Sequence, residues 1–167
     1  MGEYHYSPLP GYRGQWYYPI ANCNYRGPSL LVTATDGVHY MEQTRVRNPL
    51  THGVCPVLAT GEERWQDYTF TVTLRTLCSN EEAGVLFRYQ TSLMHYAFFM
   101  NDNKVQFWRI EKKERTMLAE APYEYNCDQY YTMRVTCKGN TFTGSINGEK
   151  LLTVQDDSYT YGKVALA

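Results

Sequence analysis

The chain has 167 residues, 43% of them apolar and 20% charged, with sixteen Lys and Arg against seventeen Asp and Glu for a net charge of -1. That length suits one domain and is thin for two, and a core of this size needs neither a metal nor a disulfide to fold. The near-neutral balance gives no argument for nucleic acid or an anionic membrane, which want basic stripes, and no apolar run approaches the roughly 18 residues that span a bilayer.

Residues 1–28 carry Pro8, Pro10, Gly11, Gly14, Pro19, Gly27 and Pro28, which nearly excludes helix. Trp16, Tyr17, Tyr18 and Ile20 are too apolar for a floppy leader, so the segment reads as an ordered arm with a short strand near 15–20. No basic stretch followed by an apolar one marks a signal peptide, and Tyr6 stands where a myristoylation pattern needs Ser or Thr.

From residue 29 onward the pattern is strand, turn, strand. "SLLVTAT", Asp36-Gly37 and "VHYMEQTRV" form a hairpin signal, and "RNPLTHGVCP" a loop. Over 67–77, Tyr68, Phe70, Val72 and Leu74 alternate with Thr69, Thr71, Thr73 and Arg75, the period of a half-buried strand. "GVLFRYQ" (84–90) follows, then "MHYAFFM" and "KVQFWRI" around an "NDN" turn (101–103), a charged tip "EKKERT", and "MLAEAPY" as strand or extended chain. "YYTMRVTC", "TFTGSI" and "KLLTVQD" close the series, the last two joined by Asn147-Gly148, a strong turn dipeptide. No helical apolar stripe occurs. Strands every 8–12 residues with turns between them predict an all-β antiparallel β-sandwich over 29–167.

The order "W-x-DYTFTV", "AGVLFRYQ", "HYAFFM", "VQFWRI", "LAEAPYEYN", "YYTMRVTCKGNTFTGSINGEKLLTVQDDSYTYGKVALA" resembles the concanavalin A-like (laminin G-like) jelly rolls of bacterial carbohydrate-active proteins, including 3-keto-disaccharide hydrolase-like domains. The resemblance covers residues 65–167. It implies a jelly roll whose concave sheet faces a groove, and a role in binding or processing glycans. Relatives continue past "GKVAL" with a further strand. The stop at Ala167 is therefore read as a cut from a longer polypeptide, with the N-terminal arm supplying the missing sheet edge as the alternative.

Within that frame, glycan cleavage needs two converging carboxylates, at i, i+2 or i+4 on a strand. The pairs Glu62-Glu63, Glu81-Glu82 and Asp156-Asp157 are adjacent in sequence and read as solvated turn acids. Glu42 in "HYMEQT" is a weak calcium candidate, and no other cofactor or metal is expected. The cysteines (Cys23, Cys55, Cys78, Cys127, Cys137) have no zinc spacing and an odd count, so they read as reduced thiols, at most one pair bridged; that slightly favours the cytoplasm, though compartment stays open. Gly-x-Ser-x-Gly, Gly-rich phosphate loops and P-loops are absent.

Sugars offer an apolar C–H face to aromatic rings and hydroxyls to planar polar groups. Strict alternation puts Val85, Phe87 and Tyr89 in the core and turns Arg88 outward; it likewise puts Val105 and Phe107 inward and Gln106 and Trp108 outward. The expected ligand-binding patch is Arg88, Trp108 and Gln106, with either Tyr96 or His95. The leading expectation is a noncatalytic carbohydrate-binding or accessory module. A glycosidase or polysaccharide lyase domain, and an assembly module docking on an adjacent catalytic domain, are the alternatives.

Overall fold

The structure, a computed structural model, describes residues 57–76, 82–112 and 114–167, and the backbone of four earlier strands: β1 (Tyr4–Tyr6), β2 (Trp16–Tyr18), β3 (Leu30–Thr35) and β4 (Val38–Gln43). The chain continues through β5 (Leu58–Thr60), β6 (Tyr68–Arg75), β7 (Ala83–Thr91), β8 (Met94–Asn101), β9 (Lys104–Glu111), β10 (Glu114–Pro122), β11 (Tyr130–Lys138), β12 (Thr141–Ile146), β13 (Glu149–Gln155) and β14 (Lys163–Leu166). An eight-stranded sheet in the order β1-β2-β5-β14-β7-β8-β9-β10 packs on a four-stranded sheet, β13-β12-β11-β6. β3 and β4 form a separate two-stranded ribbon. Every pairing is antiparallel. The expected all-β jelly-roll sandwich is the fold observed.

Period-two alternation builds the space between the sheets. Val85, Phe87, Tyr96, Phe98, Met100, Val105 and Phe107 from the large sheet meet Met133, Val135, Cys137, Phe142 and Ile146 from the small one. Phe87 packs edge-on to Phe142 with centroids 5.1 Å apart, and Phe98 stacks on Phe107 at 4.7 Å, the offset geometries aromatic rings prefer. Tyr68, Phe70, Val72 and Leu74 of β6 line the same core, and their threonine neighbours face solvent. Tight turns fall where the sequence places them: Asp102, Asn103 and Asn147 all adopt left-handed backbone.

The N-terminal arm joins the large sheet. β2 pairs with β1, and Tyr17 lies opposite Ala59 of β5. β14, the expected open edge, instead lies between β5 and β7. β1 and β2 of the arm are the outer strands on that side of the sheet. The side chains of the arm and of Glu42, and residues 44–56, lie outside the described residues.

Strict alternation fails in β7. The β7–β8 register shifts between Phe87 and Thr91, and Arg88 takes a left-handed backbone at φ 47°. The extra residues rotate Arg88 inward and send Tyr89 to the opposite face, where it packs with Leu86, Ala97 and Phe99. The expected core membership of Tyr89 beside Phe87 and the outward Arg88 are both corrected by this bulge.

Candidate functional site

Arg88 is 1% exposed. Its Nη1 donates to the Tyr159 carbonyl at 3.3 Å and its Nη2 to the Gly139 carbonyl at 3.0 Å. The guanidinium lies 5.6 Å over the Phe142 ring, and its backbone N–H donates to Tyr68 Oη at 2.8 Å. Asp67, at the rim, is 3.8 Å away and also accepts from the Gly139 N–H at 2.8 Å. Arg88 therefore ties β7 to the β11–β12 turn and the β13–β14 connection across the sandwich, and it is not part of an outward patch. Burial pushes the pKa of Tyr68 up and that of the neighbouring Cys137 thiol up to about 11, so both stay neutral.

Tyr96 is likewise enclosed, at 0% exposure. Its hydroxyl donates to Asp156 Oδ1 at 2.5 Å and accepts from the Tyr159 N–H at 3.1 Å. Arg109 reaches Asp156 Oδ2 at 2.7 Å and Ser158 Oγ at 2.9 Å. Burial opposes ionisation of Asp156, but hydrogen bonds from Tyr96 and Ser158 and the Arg109 charge outweigh it and hold its pKa below the usual carboxylate value. Asp156, expected as a solvated turn acid, instead anchors the β13–β14 connection. Glu82 is likewise held, by Arg115 at 2.5 Å, whereas Glu62, Glu63 and Asp157 are exposed, as expected of turn acids, Glu63 with Lys163 at 3.3 Å.

The other three residues of the expected patch do come together, on the face of the large sheet turned away from the small one. His95 lies opposite Ile110, Ala97 opposite Trp108, and Phe99 opposite Gln106. Over β7 and β8 this face is closed: Leu86, Ala97 and Phe99 are 1%, 0% and 4% exposed. The more open stretch lies over β9 and β10, where Lys104 and Glu120 are exposed, Trp108 is half-buried and Gln106 lies beneath them at 8% exposure. There Trp108 Nε1 donates to Gln106 Oε1 at 3.1 Å, and Gln106 Nε2 to Glu120 Oε2 at 3.3 Å. Lys104 Nζ reaches both Glu120 oxygens at 3.3 Å. The result is a continuous polar row running from a tryptophan to an exposed ion pair. The hydrogen bond from Gln106, with the bond and charge of Lys104, holds the Glu120 pKa below its ordinary value.

Arg115 of β10 lies 4.5 Å over the Trp108 ring as a cation–π contact, held by Glu82 at 3.2 and 2.5 Å. His95 is 7% exposed; its Nδ1 is 3.0 Å from the Thr91 carbonyl, which makes Nδ1 the protonated nitrogen. Burial lowers its pKa to about 4, with the Arg115 charge adding to the shift, so the imidazole is neutral at pH 7.

Arg115, Glu120, Lys104 and Glu82 complete this surface; the sequence marked neither Arg115 nor Lys104, and Glu82 only as a solvated turn acid. The β9–β10 register starts at the turn between Glu111 and Glu114, and its shift between Met117 and Ala119 brings Glu120 opposite Gln106, which breaks the count from Arg115 to Glu120. Among the described residues no three His, Cys, Asp or Glu side chains cluster closely enough to hold a metal ion.

Solved structures with the same fold include a carbohydrate binding module, CBM66, from Bacillus subtilis (TM-score 0.61, 14% identity, 66% of this chain and 71% of that chain). A Bacillus licheniformis beta-glucanase aligns over 99% of this chain and 84% of its own (TM-score 0.64, 12% identity). Sheep galectin-11 aligns over 66% and 86% (TM-score 0.51, 8% identity). At these identities the likeness is one of fold. No curated protein matches. Residues 13–167, however, match a family model in full sequence order from the arm to the last strand, and the chain belongs to the family described as the 3-keto-alpha-glucoside-1,2-lyase-like domain.

Proposed function

We propose that the chain is a noncatalytic carbohydrate-binding module, an accessory part of a larger carbohydrate-active protein, and that it binds an oligosaccharide at Trp108, Gln106, Glu120, Lys104 and Arg115. The observation that carries this reading is the continuous row Trp108–Gln106–Glu120–Lys104. It sets an aromatic ring beside an amide, a carboxylate and an ammonium, already hydrogen-bonded to one another. Such a row offers donors and acceptors to adjacent hydroxyls without reorganisation, which reduces the entropy lost on binding. The α-glucoside in the family's description, and the fold shared with a carbohydrate binding module, support a glycan as ligand.

The carboxylates argue for binding over hydrolysis. Glu120 is held ionised by Gln106 and Lys104, which unsuits it as a proton donor, and Glu82 is committed to Arg115. Calorimetric titration with α- and β-linked gluco-oligosaccharides tests the reading; no binding across the panel overturns it.

One observation favours a second reading, a lyase. Elimination across C1–C2 of a 3-keto-glucoside takes the C2 proton, acidified by the ketone, and expels the C1 substituent. With Nδ1 donating to the Thr91 carbonyl, Nε2 of His95 carries the lone pair that would take this proton, and the Arg115 charge acts on the same ring. Release of the C1 substituent from a 3-keto-α-glucoside, lost in His95→Gln, favours the lyase and overturns the noncatalytic reading.

A further inference from the structure

A second surface, away from Trp108, combines aromatic carbon with planar polar groups. The 61–67 segment leading into β6 carries Trp65, 42% exposed. Its ring lies against Gly61, where a Cβ would stand 2.6 Å from the indole and where φ is 97°. On its other flank it meets Tyr68 with centroids 5.9 Å apart. The segment is tied down at several points: Gly162 N–H donates to the Trp65 carbonyl at 3.0 Å, Trp65 N–H to the Glu62 carbonyl at 3.3 Å, and Gly139 N–H to Asp67 Oδ1 at 2.8 Å. An exposed indole is thus fixed in place by its own backbone before anything binds.

Beside it opens a groove of about 410 Å³ lined by Arg64, Trp65, Gln66, Asp67, Tyr68 and Phe70. Arg64 and Gln66 are exposed and have no hydrogen-bond or ionic partner among the described residues. A guanidinium, an amide and a carboxylate, each planar and able to serve two groups at once, therefore stand next to aromatic faces. Their charges cancel. An anionic ligand would call for an excess of cations and a cationic one for an excess of acids, so the complementary ligand is neutral, with many hydroxyls and one apolar face.

We propose that this groove is a second carbohydrate-binding site, taking one or two pyranose units of a neutral oligosaccharide. It is distinct from the Trp108 surface. Tyr68 and Phe70 face the space between the sheets, whereas Trp108 belongs to the opposite face of the large sheet. β14, which contributes Val164 to the groove, is three strands from β9, about 14 Å at the usual strand spacing. The chemistry asked of both sites is the same, but neither depends on the other.

The chain has three tryptophans, so indole N–H signals in ¹⁵N spectra report the two sites separately, once Trp65→Phe and Trp108→Phe assign them. The ¹⁵N-labelled chain is titrated with maltotriose, cellotriose and, as a non-sugar control, a neutral polyol. The expected result is a saturable shift of the Trp65 indole with at least one trisaccharide and none with the polyol. Trp65→Ala should weaken that response, followed at backbone amides near Gly61 and Thr69, at least about tenfold, as loss of a central aromatic anchor does, and leave the Trp108 response intact. Gln66→Ala, an exposed change that does not threaten folding, should weaken it several-fold. An unmoved Trp65 indole at saturating sugar, or an affinity unchanged in both variants, overturns the proposal. A moving Trp65 with a silent Trp108 overturns the sheet-face reading and leaves this one standing; the reverse overturns this one alone.

Discussion

Replacing Arg88 probes the sandwich at the point where its two sheets and two connections meet. Arg88→Ala removes two charge-assisted hydrogen bonds, to the carbonyls of Tyr159 and Gly139, and the contact over Phe142. Each such bond contributes about 1.5–3 kcal/mol, and each buried carbonyl left without its donor costs about 1–3 kcal/mol. Part of this is offset, because a buried guanidinium whose Nε has no partner carries a desolvation cost that the mutation relieves. The net expected loss is about 3–5 kcal/mol, about a fifth or more of a typical domain's stability. Arg88 also holds a left-handed backbone at φ 47°, which costs a non-glycine residue about 1–2 kcal/mol. Arg88→Gly should therefore be about 1 kcal/mol more stable than Arg88→Ala while still well below the parent. Urea denaturation followed by tryptophan fluorescence separates the terms: at an m-value of about 2 kcal/mol/M, the alanine variant's midpoint falls by about 2 M. An alanine variant within about 1 kcal/mol of the parent, or a glycine variant no better than alanine, refutes the account of this residue.

His95 and Gly162 give two further tests. The folded-state pKa of His95 is about 4, against 6.5 for an unperturbed imidazole, so between those values the unfolded chain binds the proton and the folded one does not. Stability is then fully present above pH 6.5 and falls as pH drops toward 4, by up to about 3 kcal/mol; the urea midpoint of the parent should follow this window and that of His95→Gln should be flatter across it. Identical pH profiles would contradict the burial of a neutral imidazole. Gly162 adopts φ 150°, and a Cβ there would lie 2.3 Å from the Arg88 carbonyl carbon. Backbone cannot move aside as a flexible side chain can, so Gly162→Ala should cost more than about 3 kcal/mol, seen as a large drop in thermal midpoint; a drop of only a few degrees would count against the close packing of these two segments.

The regular parts of the sandwich were legible because period two holds there. β6, β9, β11 and β12 face as their alternation indicates, down to the outward Gln106 and Trp108. The candidate site was legible only where alternation was unbroken. Two local irregularities hid the rest. In β7 the shift after Phe87 exchanges the faces of Arg88 and Tyr89, and a sequence has no marker for a non-glycine residue adopting left-handed backbone. In β10 the shift between Met117 and Ala119 places Glu120 opposite Gln106, a pairing that two-by-two counting from Arg115 misses. Tyr96 and Asp156 fail for another reason: a tyrosine on the core face can be fully buried if its hydroxyl finds an acid, and the acid lies 60 residues away in the chain.

The central claim is that the Trp108 row binds a glycan. Calorimetric titration of the parent, Trp108→Ala and Glu120→Gln with a panel of α- and β-linked gluco-oligosaccharides tests it most directly. The expected result is saturable binding by the parent and an affinity reduced about thirtyfold by Trp108→Ala, the loss of about 2 kcal/mol typical of an aromatic anchor. Glu120→Gln, which keeps the shape and loses the charge, should bind more weakly than the parent and more tightly than Trp108→Ala. Binding that Trp108→Ala leaves unchanged, or no binding to any member of the panel, would contradict it.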